Sequence, residues 1–303
     1  MKQIFFVGLG HMGGAMAANL VKAGFDVNGF DLEPSAVERA EAAGVTVSDS
    51  LRQGAADADV VMTSLPGPKQ IAAVGLGPNG LLSTMKRGSV WVDLSTNDLA
   101  TARMVEAEAN EHGIGVVDAP VSGGPEGAAG ATLSVYVGGG RDVVAELGDV
   151  FAAIGSNIDH LGSHGAGYSA KIAQVTLCYT QTVTFVEALM LGVKGGVAPA
   201  KMLEIIQRSA GRSYVADVYG PEIVAGTYDR SFSIQLAAKD MRLAMEMADS
   251  VGADLPFMAR VAERYETALR IYGENAPHLL AAALTESDNQ LTFSEPNVME
   301  EPS

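Results

Sequence analysis

The chain has 303 residues, which at about 150 per domain points to two domains, and its 48% hydrophobic and 18% charged residues are those of a globular protein. A formal net charge of -16 excludes nucleic acid and anionic membrane surfaces as partners, because their phosphates would be repelled. No apolar run is uninterrupted and long enough to span a bilayer, and the chain reads as a soluble protein of the cytoplasm.

The first strand is expected at Ile4-Phe5-Phe6-Val7, which leaves no room before it for the charged region and cleavage site of a signal peptide. It runs directly into Gly8-Leu9-Gly10-His11-Met12-Gly13. Gly8 allows a sharp turn, Gly10 allows the backbone to approach a pyrophosphate, and Gly13 allows a helix to pack closely on the strand. From Ala15 to Val21 the apolar residues follow a helical period, Gly24 stops that helix, and Val27 to Phe30 reads as a second strand. Asp31 then falls about 20 residues after the glycines, where an acidic side chain accepts hydrogen bonds from an adenosine ribose. This is the layout of a Rossmann-type dinucleotide site, with the phosphates on free amides at a helix N-terminus. A carboxylate at Asp31 repels a 2′-phosphate, and Leu32, Glu33 and Pro34 supply no cation to hold one, so NAD is expected rather than NADP. The alternative for Asp31 is a plain turn cap.

Further along, Ala36 to Ala43 reads as helix, Val60 to Thr63 as strand, Gly80 to Met85 as a short helix and Val90 to Val92 as strand. Leu99 to Glu111 is helix, and Val116 to Asp118 and Leu133 to Val137 are strands. Such alternation implies a doubly wound, mainly parallel sheet covered by helices, with the loops at Leu65-Pro66-Gly67-Pro68 and Ser95-Thr96 on its carboxyl edge. Past about Leu161 strand signals give way to helices at Ala170 to Val193, Ala200 to Ser209, Gln235 to Val251 and Phe257 to Tyr272. The expected organisation is a dinucleotide-binding α/β domain over 1–162, an all-helical domain over 163–290 and a flexible acidic tail over 291–303, with fraying from Ser287 onward. The helix from Ala170 is apolar around much of its circumference, which suggests packing outside its own domain and a homodimer or homotetramer. The single cysteine, Cys178, lies in that apolar pattern and reads as a buried structural thiol; it rules out an internal disulfide and suits a reducing compartment. His11, His112, His160, His164 and His278 show no metal-ligand spacing, and no metal is expected.

Three further segments carry a resemblance. Asp118-Ala119-Pro120-Val121-Ser122-Gly123-Gly124, followed by Gly127-Ala128 and Gly130-Ala131-Thr132-Leu133, is similar to the substrate-binding signature of the β-hydroxyacid dehydrogenases, a family that includes 3-hydroxyisobutyrate dehydrogenase and tartronate semialdehyde reductase. Gly165-Ala166-Gly167-Tyr168-Ser169-Ala170-Lys171 resembles the family's catalytic-lysine signature, and Phe232, Leu236, Lys239, Asp240, Leu243 and Ala244 resemble its C-terminal lysine-aspartate element. With the glycine loop these motifs stand in family order up to about residue 285.

The resemblance implies hydride transfer between NAD and the hydroxyl-bearing carbon of a small β-hydroxy acid, with Lys171 as general acid and base. It further implies that Ser122, Gly123 and Gly124 grip the substrate carboxylate, that Phe232 and Asp240 belong to the substrate site, and that Leu65, Pro66, Thr96 and Lys239 lie along the cofactor. Each has a plainer alternative: a Gly-rich turn at Ser122, a solvated lysine at Lys171, and a helix-face charge paired with Glu246 or Asp240 at Lys239. The chain departs from the family at the two positions after the lysine that usually hold asparagines. Gln174 and Val175 stand there, so either Gln174 replaces the amide or the substrate is apolar at that point. An imine reductase is disfavoured by Lys171, a 6-phosphogluconate dehydrogenase by the short helical region, and a non-catalytic scaffold by the retained lysine and the acidic surface.

Overall fold

The computed structural model describes residues 2–228 and 232–294. The chain divides into two compact units, Met1–Ile172 and Ala173–Ser303. The first contains β1 (Gln3–Val7), α1 (His11–Lys22), β2 (Asp26–Phe30), α2 (Pro34–Ala42), β3 (Thr46–Val47), α3 (Leu51–Ala56), β4 (Val60–Thr63), α4 (Pro68–Gly75), β5 (Val90–Asp93), α5 (Leu99–His112) and β6 (Gly115–Asp118). It continues with β7 (Val121–Ser122), α6 (Gly124–Ala129), β8 (Leu133–Gly138), α7 (Arg141–Glu146), α8 (Gly148–Ala152) and β9 (Gly155–Gly162). The long helix α9 (Ala166–Lys194) starts in the first unit and runs on into the second.

The strands form one sheet in the order β3-β2-β1-β4-β5-β6-β8-β7, with β9 paired to β8. From β3 to β6 all neighbours are parallel, and the direction in which strands are added reverses between β1 and β4, the edge at which such sheets bind ligands. β1 shows how the pattern builds the two-faced core. Ile4 and Phe6 pack on one face with Met16 and Leu20, while Phe5 and Val7 pack on the other with Val61 and Trp91. Phe5 and Phe6 are fully buried, worth about 2 to 3 kcal/mol each in transfer free energy.

Several expectations are corrected. Leu133–Gly138 is a strand, but it runs antiparallel to β6 and β7. The connection from β6 is largely taken up by β7 and the short α6, leaving little chain for a parallel crossover. Residues 80–85 form turns rather than a helix: the Leu81 and Leu82 amides bond to the Val74 and Gly75 carbonyls, seven residues back instead of the helical four. The helix of this region lies earlier, at α4, where Pro68 occupies the first turn.

The second unit holds the remainder of α9, then α10 (Pro199–Gln207), a π-helical turn at Val215–Tyr219, α11 (Gly220–Ala225), α12 (Ile234–Val251), α13 (Pro256–Tyr272) and α14 (Leu280–Asn289). Two apolar clusters form its core, one around Tyr179, Met241 and Tyr265 and one around Val186, Leu189 and Ile223. Cys178 is half-buried against the second cluster, not fully buried as its pattern suggests. Beyond Ser287, α14 extends to Asn289, and Phe293 is buried with its amide bonded to Glu286. The tail expected over 291–303 lies outside the described residues from 295 onward.

Candidate active site

The loop from β1 to α1 has the form its glycines dictate. Gly8 has φ +91, and a Cβ there would stand 2.3 Å from the Ser64 carbonyl oxygen on the neighbouring strand exit. A Cβ on Gly13 would stand 1.8 Å from the Gly8 carbonyl oxygen, so only glycine lets α1 lie this close to the strand. Gly10 has nothing within 4 Å of such a Cβ. It caps the 12-residue helix α1, so the first amides of that helix follow a backbone position with open space beside it. The arrangement fits a dinucleotide pyrophosphate. His11 is exposed and Met12 half-buried just inside the helix.

Asp31, at the end of β2, accepts the Leu9 amide at 2.6 Å and the Glu33 amide at 2.9 Å. Its carboxylate is thus fixed against the glycine loop, and the turn-capping role stands alongside remaining lone pairs for ribose hydroxyls. Leu32, next to it, is 88% exposed.

The exits of β4, β5 and β6 lie beside this loop on the carboxyl edge of the sheet. Two buried carboxylates tie them together, and neither Asp93 nor Asp118 was expected as a site residue. Asp93 ends β5 with its Oδ1 accepting the Ser95 hydroxyl at 2.6 Å, the Thr63 hydroxyl at 2.6 Å and the Ser95 amide at 3.2 Å. Its Oδ2 accepts the Tyr168 hydroxyl at 2.6 Å. Ser95 Oγ in turn accepts the Leu65 amide at 2.9 Å, which holds the loop carrying Leu65 and Pro66; Thr96 follows Ser95 and is half-buried. Burial pushes the Asp93 carboxyl up, opposed by its hydroxyl donors, and burial followed by the Asp93 charge raises the Tyr168 phenol well above its usual range.

Asp118 ends β6 fully buried and accepts the Gly165 amide on Oδ1 and the Tyr168 amide on Oδ2, both at 2.8 Å. These are donors that the first turn of α9 cannot satisfy internally. A Cβ on Gly167 would stand 2.1 Å from the Tyr136 carbonyl oxygen, so this glycine is what allows the helix to start against the sheet. Lys171 follows one turn later, half-buried. Ser122 lies in β7, half-buried, and Gly123 and Gly124 follow it exposed, with φ +135 and +66, conformations suited to glycine. The one sequence signal for Asp93 is an acid closing the apolar run Val90-Trp91-Val92; Asp118 and Tyr168 sat inside recognised motifs without a role.

In the second unit Gln174 is exposed, whereas Val175 is buried among Tyr179, Ile234 and Tyr265. Asp240 is 3% exposed, accepts the Tyr179 hydroxyl at 3.1 Å and pairs with Lys239 Nζ at 3.1 Å. Phe232 stacks on Tyr179 with ring centroids 6.4 Å apart, and His278 meets its edge. Lys239 is therefore paired with Asp240, one of the two partners its plainer alternative named. Among the described residues no group of three or more His, Cys, Asp or Glu is placed to hold a metal, and no helix is long and apolar enough to cross a membrane.

Strand order, glycine loop and fixed acid at the end of β2 define a nucleotide-binding protein of the Rossmann class. The family model described as the NAD binding domain of 6-phosphogluconate dehydrogenase matches residues 3–162, and that described as NAD-binding of NADP-dependent 3-hydroxyisobutyrate dehydrogenase matches residues 165–284. The chain is 38% identical to the NAD-dependent L-serine dehydrogenase of Pseudomonas aeruginosa over 89% of this chain and 93% of that protein. It is 40% identical to the 3-hydroxyisobutyrate dehydrogenase of the same organism over 86% of this chain and 89% of the relative. The solved structure of Mycobacterium tuberculosis 3-hydroxyisobutyrate dehydrogenase with L-serine superposes with a TM-score of 0.87 at 32% identity, covering 94% of this chain and 99% of that one. The chain belongs to the β-hydroxyacid dehydrogenase family.

Proposed function

We propose that this protein transfers a hydride between NAD and the hydroxyl-bearing carbon of a small β-hydroxy acid of the 3-hydroxyisobutyrate or serine kind, or the corresponding semialdehyde, with Lys171 as general acid and base. The observation that carries this reading is the tethering of the lysine helix, through Asp118 and Asp93, to the same sheet edge that bears the glycine loop and the Leu65 and Thr96 loops. Bound NAD supplies the hydride acceptor. The chain's own residues then position and deprotonate the alcohol. Ser122 and the backbone of Gly123 and Gly124 grip the carboxylate, and neutral Lys171 takes the hydroxyl proton in oxidation and returns it in reduction.

Gly8, Leu9, Gly10, His11, Met12 and Gly13 receive the pyrophosphate, Asp31 the adenosine ribose, and Leu65, Pro66, Thr96 and Lys239 the remainder of the cofactor. Gln174 contributes the amide that Val175 lacks, and Phe232 and Asp240 line the substrate side. The reading includes assembly as a homodimer or homotetramer and a cytoplasmic location, in keeping with a chain that has a single cysteine and so no internal disulfide.

The test is an assay of the purified protein with NAD against 3-hydroxyisobutyrate, L-serine, their semialdehydes and amino-alcohol analogues without the carboxylate, read by absorbance of the reduced cofactor. Turnover of the carboxylates and not of the amino alcohols is expected; turnover of the amino alcohols alone, or of nothing, contradicts the reading.

A further inference from the structure

We propose that Asp93 and Tyr168 are positioning residues for the reaction: the buried Asp93 carboxylate joins two cofactor-side loops to the lysine helix, and the Tyr168 hydroxyl is the link to that helix. This rests on the function proposed above. Three segments share the one carboxylate. The loop after β5 reaches it through the amide and hydroxyl of Ser95, the loop after β4 through the Leu65 amide on Ser95 Oγ, and α9 through Tyr168. The direction of each bond is determined. Asp93 accepts the Ser95 O–H, so the lone pairs of Ser95 Oγ face Leu65, and Thr63, which also donates to Asp93, accepts the Trp91 Nε1–H at 3.0 Å.

Tyr168 differs from Asp118 in what it constrains. Asp118 grips backbone amides and sets where α9 begins. The Tyr168 hydroxyl is anchored a full side chain away from the helix axis, so its bond to Asp93 sets the roll of the helix about that axis. Lys171 is three residues on, on the same face, and roll decides where its amine stands. A displacement of about 1 Å at a reacting group is enough to cost on the order of 100-fold in rate. Tyr168 is 2% exposed and keeps its proton because burial and Asp93 both oppose ionisation, so it acts as a fixed donor and not as an acid or base. A carboxylate in a strand that is otherwise Val-Trp-Val is a poor stabiliser of the fold, and a well-bonded one specifies an arrangement.

The deciding variant is Tyr168→Phe in the full chain, which keeps the ring and removes the hydroxyl that donates to Asp93. Its kcat is expected to fall tenfold or more while the Kd for NAD stays within twofold of wild type. Asp93→Asn should lose both kcat and NAD affinity, and the double variant should be no slower than Asp93→Asn alone. Amide hydrogen exchange of the protein without substrate gives a reading independent of turnover: Tyr168→Phe should speed exchange across residues 165–172 and leave β1 to β4 unchanged. Wild-type kcat in Tyr168→Phe, additive losses in the double variant, or parallel loss of kcat, NAD affinity and Tm overturn the proposal. If wild-type protein turns over no β-hydroxy acid, the functional reading has failed on its own; the exchange measurement still decides the link, which unchanged rates at 165–172 would refute.

Discussion

In the proposed function Asp31 is the residue on which cofactor choice turns. Its carboxylate is pinned by the amides of Leu9 and Glu33, so it cannot swing aside to admit a second anion at the ribose. A 2′-phosphate would bring about two negative charges against it, a repulsion of about 2 kcal/mol or more at the effective dielectric of a partly exposed site. NAD is therefore expected to bind at least about 30-fold more tightly than NADP, and Asp31→Ala to narrow that gap, as measured by calorimetric titration. Tighter binding of NADP by the wild-type protein would contradict the assignment. In the proposed function substrate choice turns on a different pair of residues. Val175 is buried in an apolar cluster and Gln174 is exposed, so the one amide of this pair stands about 100° round the helix from position 175.

At the scale of the element, the glycine loop separates folding from binding. In Gly13→Ala the new Cβ meets the Gly8 carbonyl, and the loss of stability should exceed about 2 kcal/mol in denaturant unfolding. In Gly10→Ala the Cβ enters open space at an ordinary φ of -60, so stability should be nearly unchanged while the affinity for NAD falls at least tenfold. The reverse pattern would mean that the loop does not receive the pyrophosphate.

What was legible in the sequence follows the same physics. The glycine triplet, the parallel strands β1, β4, β5 and β6, and the helices α5, α9, α12 and α13 show long or regular patterns because their burial is one-sided or complete. β9 left no signal, since seven of its eight residues are exposed and carry no apolar alternation. Residues 80–85 looked helical because Leu81, Leu82 and Met85 are buried by turns packed on the core. Asp93 is nearly silent for a related reason: its partners Thr63, Ser95 and Tyr168 come from three separate segments, and only the fold shows that they meet.

On the scale of the whole molecule, α9 carries residues of both units and leaves Leu177 and Leu191 exposed along its second part, at 51% and 78%. Light scattering at working concentration is expected to give a mass of two or four chains; a monomer would count against the proposed assembly. The account as a whole depends on Lys171. Lys171→Met replaces the amine with an apolar side chain of similar length and leaves the glycine loop and Asp31 intact. The decisive measurement is turnover and NAD affinity of that variant side by side. The account predicts that oxidation of the β-hydroxy acid is abolished, at least about 1,000-fold down, while the Kd for NAD stays within about threefold of wild type. Retained turnover with NAD bound normally would contradict it.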